Sequence, residues 1–145
     1  MKSSIVFFDN LENSKRGTLR GLVIFPIFIL LNLLWFFFTK KQLYDKHIDT
    51  VSTNRLFVSW FLSALLIVSA IGVHTPDSSK KAIVFSALVG FVVYGISNAT
   101  MLAVSNKWDY LISLIDILWG IFSTSLLGYI LYIVVNKYPN IFASI

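Results

Sequence analysis

Residues 110–135 read YLISLIDILWGIFSTSLLGYILYIVV, an apolar run interrupted by one charge, Asp116. At 1.5 Å per residue a helix needs about 20 residues to cross ~30 Å of hydrocarbon, so this run is long enough to span a bilayer. Within it stands Asp116-Ile117-Leu118-Trp119-Gly120, an acid with a tryptophan three positions on. An ionised Asp at a membrane-helix centre costs roughly 2.5–3.5 kcal/mol on insertion scales, and less at intermediate depth. A residue that costly in lipid calls for a partner.

The rest of the chain fits the same setting. Of 145 residues, 57% are hydrophobic and only 13% charged, too apolar for an ordinary soluble domain of this length. The charges fall between the apolar runs. Net charge is +5, but the basic residues come in ones and twos at segment ends, a pattern of membrane anchoring rather than of a nucleic-acid patch. The absence of Cys excludes a disulfide framework, a thiolate metal site and a cysteine nucleophile.

Four spans are predicted, at 21–39, 56–73, 82–104 and 110–135. Arg20 and Lys40-Lys41 bound the first, which contains Pro26, a residue expected to kink it. It reads as a retained anchor, because no small-residue cleavage site follows. Ser52-Thr53-Asn54 offers caps for the second span, and Thr75-Pro76-Asp77-Ser78 has helix-start chemistry ahead of the third. Asp109 is the expected N-cap of the fourth, which Asn136 and Pro139 close. Short connections make neighbours antiparallel, so the predicted fold is an all-α membrane protein, an up-down four-transmembrane-helix bundle. Residues 1–20 are expected to be a polar N-terminal tail whose Ile5-Val6-Phe7-Phe8 could dock on a partner protein or the membrane interface, and 136–145 a short C-terminal tail. Strands are disfavoured, since an open sheet leaves backbone groups unpaired in lipid. With four spans, the side holding both termini carries seven Lys and Arg against five on the other, favouring termini on the cytoplasmic or interior side.

Polar residues inside the spans lie at one depth. Asn32 is seven residues from the end of span one, Asn98 six from the end of span three, Asp116 six into span four and Ser63 seven into span two. All four therefore sit about 9–10 Å below the same surface. Ser86, Gly90, Tyr94, Asn98, Met101 and Ser105 share one face of span three; Ser113, Asp116, Gly120, Ser123 and Leu127 share one face of span four. Small residues let backbones approach, so these faces should point into the bundle. Trp119 is deep enough to pack there, whereas Trp35, Trp60 and Trp108 lie near span ends, where an aromatic belt is expected. The candidate site is thus Asn32, Ser63, Tyr94, Asn98, Asp116 and Trp119, either a hydrogen-bonded clasp or a binding layer for a cation, proton or polar headgroup.

These residues also carry a resemblance. Tyr94-Gly95-Ile96-Ser97-Asn98 and Asp116-Ile117-Leu118-Trp119-Gly120, with Asn32, Trp35 and Tyr44 upstream, resemble the motifs of a family of small four-span membrane proteins of undefined function. The resemblance covers roughly residues 25–130 and implies bacterial and large-DNA-virus relatives. Those relatives carry Asp where this chain has Asn32 and Gly95, so three acids have become one. That loss favours a structural role over proton- or metal-linked chemistry.

No catalytic constellation, cofactor motif or metal set is expected. His47 and His74 fall in connections on opposite membrane faces, and no Gly-rich phosphate loop, nucleophile elbow or His-Glu-x-x-His occurs. Asn98-Ala99-Thr100 is formally a glycosylation sequon, but inside a span it is inaccessible. Two functional readings follow: a non-enzymatic structural or assembly component of a membrane or larger complex, a virion inner membrane being one home for it, or a binding or transport protein for a small solute, ion or lipid headgroup. The partners expected are the bilayer, a protein met through residues 1–20, and no nucleic acid.

Overall fold

A computed structural model describes residues 2–39, 44, 53–74 and 77–143. Its elements are helices: α1 Lys2–Thr39, α2 Thr53–Val73, α3 Ser79–Val104, α4 Tyr110–Lys137 and the single-turn α5 Pro139–Ala143. Three are long and apolar enough to cross a membrane, with apolar spans at Arg16–Thr39, Ser79–Val104 and Tyr110–Lys137. The 21 residues of α2 rise about 31 Å, also the thickness of a bilayer core. Its described apolar stretch is the shorter Phe61–Val73. Readings that rest on the side chains of Phe7, Phe8, Lys40, Lys41, His47, Ser52, Trp60, Thr75 and Pro76 fall outside what the structure describes.

The ends of α3 and α4 follow from local chemistry. Ser78, extended at φ −149°, caps α3 by accepting from the Lys81 amide. Asp109 does the same for α4, its carboxylate accepting from Ile112 N at 2.9 Å. Each side chain satisfies an amide that the helix itself cannot.

The polar segment 1–20 is helical from Lys2 and continuous with α1, which runs through Pro26 without a break. A nucleated helix extends at little cost, and nothing in residues 2–20 stops it, since Gly17 is tolerated and no proline occurs there. The C-terminal tail contains α5, whose Phe142 is buried. Pro139 has no amide proton, so it ends α4 and starts the new turn.

Two antiparallel pairs make the bundle: α1 packs most extensively on α2, and α3 on α4. Lipid tails are as apolar as leucine, so close packing rather than water exclusion must hold such helices together. Gly17 and Gly21 of α1 meet Val73, Val68 and Gly72 of α2; a Cβ on Gly72 would lie 2.6 Å from the Gly17 carbonyl oxygen. In α3, Ala82, Ser86, Gly90 and Asn98 are buried, facing buried Ser113, Gly120, Thr124 and Gly128 of α4. The predicted small-residue faces are therefore the ones in contact. An apolar cluster of Ile24, Phe28, Ala64, Ile67, Val68, Ile71, Leu127 and Leu131 joins α1, α2 and α4. Phe37, Phe38, Leu88, Ile96 and Leu111 point outward, as lipid-facing side chains should. The α1–α4 and α2–α3 faces are thinner, and the α2–α3 side leaves room for a cavity.

Candidate functional site

The α4 register that turns Ser113 and Gly120 towards α3 also turns Asp116 inward. One carboxylate oxygen accepts from Nδ2 of Asn98 at 2.8 Å, the other from the Tyr44 hydroxyl at 2.8 Å. Asn98 is fully committed. Its Nδ2 also donates to the Tyr94 carbonyl one turn back, at 2.9 Å, and its Oδ1 accepts from Trp108 Nε1 at 3.1 Å. Trp108 shares that proton with Ser113 Oγ at 3.0 Å.

A second set continues the layer to α1. The Tyr94 hydroxyl donates to Oδ1 of Asn32 at 2.8 Å, and Asn32 Nδ2 donates to the Phe28 carbonyl at 2.9 Å. Trp119 Nε1 points at the same Oδ1 from 3.5 Å, a weak contact. Its ring instead stacks on Trp35, with centroids 4.5 Å apart and planes within 5°. Trp35 Nε1 in turn donates to the Tyr44 hydroxyl at 3.3 Å.

Five of the six predicted residues, Asn32, Tyr94, Asn98, Asp116 and Trp119, are thus brought together. Ser63 lies on the wall of the adjoining cavity, outside the bonded chain. Three members were not anticipated: Tyr44, Trp108 and Trp35. Trp108 had the position of a belt residue but is buried at 8% exposure and bonded to Asn98 and Ser113. Tyr44 comes from the α1–α2 connection and reaches α4. Its one signal was its place nine residues after Trp35 in the family-like pattern. Burial, together with the Asp116 carboxylate, pushes the Tyr44 phenol far above its ordinary pKa, so it remains a donor at any physiological pH. Tyr44→Phe is therefore expected to lower the stability of the detergent-solubilised protein by about 1 kcal/mol, the scale of one intramembrane hydrogen bond. Thermal unfolding followed by circular dichroism measures it, and an unchanged melt would show that the bond contributes nothing.

Beside the layer lies a cavity of about 380 Å3, walled by α1, α2 and α3 with Asp116 at its polar end. That volume suits a small ligand. Phe28, Phe61, Val93 and Met101 make its body apolar, while Asn32, Tyr44, Tyr94 and Asn98 surround the carboxylate. Trp35, Tyr44 and Trp108 add ring faces near that end. The cavity-lining Leu33, Phe61 and Ser97 are exposed, so the chamber communicates with the surface at bilayer depth. Both carboxylate oxygens take neutral donors, and among the described residues no Lys or Arg forms an ion pair with Asp116. No group of three metal-ligating side chains occurs there either. Such a site can hold a positive or proton-donating group.

A family model described as a predicted membrane protein, DUF2177, matches residues 18–133. The chain belongs to the DUF2177 family. Every member of the hydrogen-bonded layer lies within the matched residues. No curated protein and no solved structure matches the chain. The DUF2177 relation supports the membrane setting and leaves the molecular task to the geometry.

Proposed function

We propose that this protein is a non-enzymatic, membrane-embedded binding protein for an amphipathic molecule with a cationic head, the head meeting Asp116 and the tail filling the apolar chamber. The observation that carries this reading is the juxtaposition of a carboxylate, whose partners among the described residues are neutral donors, and an aromatic-rimmed cavity opening at bilayer depth. Ring faces near a carboxylate suit an ammonium group, which gains from both. The hydrogen-bonded layer then has two roles: it ties α1, α3 and α4 in register and holds the carboxylate at the end of the chamber. In this reading the termini face the cytoplasm, the side richer in Lys and Arg.

The test uses the tryptophans at the site as reporters. In nanodiscs, dodecylamine should change intrinsic fluorescence at concentrations about tenfold or more below those needed for dodecanol, because a charge-assisted bond is worth about 1.5–3 kcal/mol. Asp116→Asn should abolish that preference. Equal response to amine and alcohol, or an Asn variant that still prefers the amine, refutes the proposal.

A second reading, an assembly component, has its own support. The α1 helix precedes its apolar span by fourteen residues, roughly 21 Å of helix. A helical arm of that length is a docking element, in a cellular membrane or a virion's internal one. A stoichiometric partner that co-purifies with the full chain and is lost on deleting residues 2–15 would favour this role.

A further inference from the structure

A second polar chamber sits at the opposite end of the bundle, twelve residues before Asn32 on α1 and so about 18 Å from the Asp116 layer. Arg20 lies in its wall, 93% buried by a relative exposure of 7%, and its Nε has no hydrogen-bond partner. The space, about 70 Å3, lies between the start of α3 and the ends of α2 and α4. Its other polar walls are His74, Ser86, Tyr132 and Asn136. A water needs at most about 15 Å3 on this measure, so there is room for several waters or one tetrahedral oxyanion.

An arginine Nε removed from water without an acceptor is costly, and proteins normally supply a buried arginine with a carboxylate. The Asp described at this end of the bundle, Asp77, bonds Lys81 at 2.7 Å in an exposed pair. Arg16 stands one turn before Arg20 on the same helix face. The first turn of α3 adds the positive end of its dipole, with Ala82 in the chamber wall. The planar fork of an arginine matches the oxygens of a phosphate.

We infer that the Arg20 chamber binds a phosphate-bearing anion at the membrane surface where the chain's termini lie. Two sources share that chemistry, an anionic phospholipid headgroup and free phosphate. Native mass spectrometry after delipidation, with phosphatidylglycerol or phosphatidylcholine added back, reads the first. Thermal unfolding in inorganic phosphate against chloride at equal ionic strength reads the second. One retained phosphatidylglycerol per chain, displaced at least tenfold by Arg20→Gln, assigns the site to a headgroup. A phosphate-specific rise in melting temperature without lipid retention assigns it to the free anion. Wild-type protein that neither retains phosphatidylglycerol over phosphatidylcholine nor responds to phosphate overturns the inference, whether or not the variant folds. So does an Arg20→Gln protein that folds and binds like the wild type. The amine titration at Asp116 is unaffected by either result.

Discussion

Gly90→Ala should separate α3 from α4 and cost about 3 kcal/mol, the upper end of the overpacking range. The added Cβ would sit 2.5 Å from the Gly120 carbonyl oxygen and 2.9 Å from its carbon, and it would also collide with the Thr124 hydroxyl. Side chains can rotate away from a crowded methyl, but here the obstacle is the backbone of α4. The helices must move apart, and that movement disturbs Tyr94 against Gly120 and Asn98 against Asp116 further along the same interface. Alanine is a better helix former than glycine by about 1 kcal/mol, so local propensity works in the variant's favour. A large destabilisation therefore isolates the packing term. Denaturant unfolding in mild detergent measures it, and Gly95→Ala is the control, since its Cβ would meet nothing within 4 Å. If Gly90→Ala unfolds alongside that control, the α3–α4 interface does not depend on backbone approach.

Asp116→Leu is the second large effect, and its sign depends on which step is measured. Insertion into the bilayer should improve, because the variant removes the most expensive side chain of α4. Assembly of inserted helices should weaken, because the Tyr44 hydroxyl loses its acceptor and Asn98 Nδ2 loses one of its two. Separated helices in lipid find substitute partners, so each intramembrane bond contributes about 1–2 kcal/mol at most, and the pair about 2–3 kcal/mol. Asp116→Asn keeps one carbonyl acceptor and should lose only about 1 kcal/mol. Glycosylation mapping of insertion alongside thermal unfolding of the purified variants separates the steps. A leucine variant as stable as the wild type would mean that the layer does not hold the helices in register.

Much of this arrangement was legible in the residues. The start of α4 follows from Asp109, and Ser78 lies in the predicted turn before α3; both are single-residue chemistry. The inward faces of α3 and α4 follow from small residues recurring at helical spacing. Depth counting placed Asn32, Asn98 and Asp116 together because a helix rises uniformly. What it could not supply was Tyr44, since a connection has no fixed rise and its path depends on what it packs against. Trp108 was misjudged for a related reason: a tryptophan near a span end can face lipid headgroups or turn inward, and here the unsatisfied Oδ1 of Asn98 draws it in. The chambers are the least legible features. They are the space left between side chains on four helices, and no local pattern encodes a void. Helix α1 begins at Lys2, ahead of the first apolar run, because charged residues continue a helix as readily as apolar ones.

The span of the hydrogen-bonded layer along the chain has a consequence for biogenesis. Tyr44 and Asp116 are 72 positions apart, and Asn32 and Trp119 are 87 apart. The α3–α4 contacts, by contrast, close across the short connection 105–109. Chains are made from the N-terminus, and contacts of low sequence separation form first. The α1–α2 hairpin therefore pairs early, through Gly17, Gly21 and Gly72, while Asn32 and Tyr44 wait for acceptors and donors that have not yet been synthesised. Only when α4 enters the bilayer is the layer completed. A nascent chain stopped short of residue 116 thus leaves the Tyr44 hydroxyl and one proton of the Asn98 amide without the acceptor that the finished chain provides.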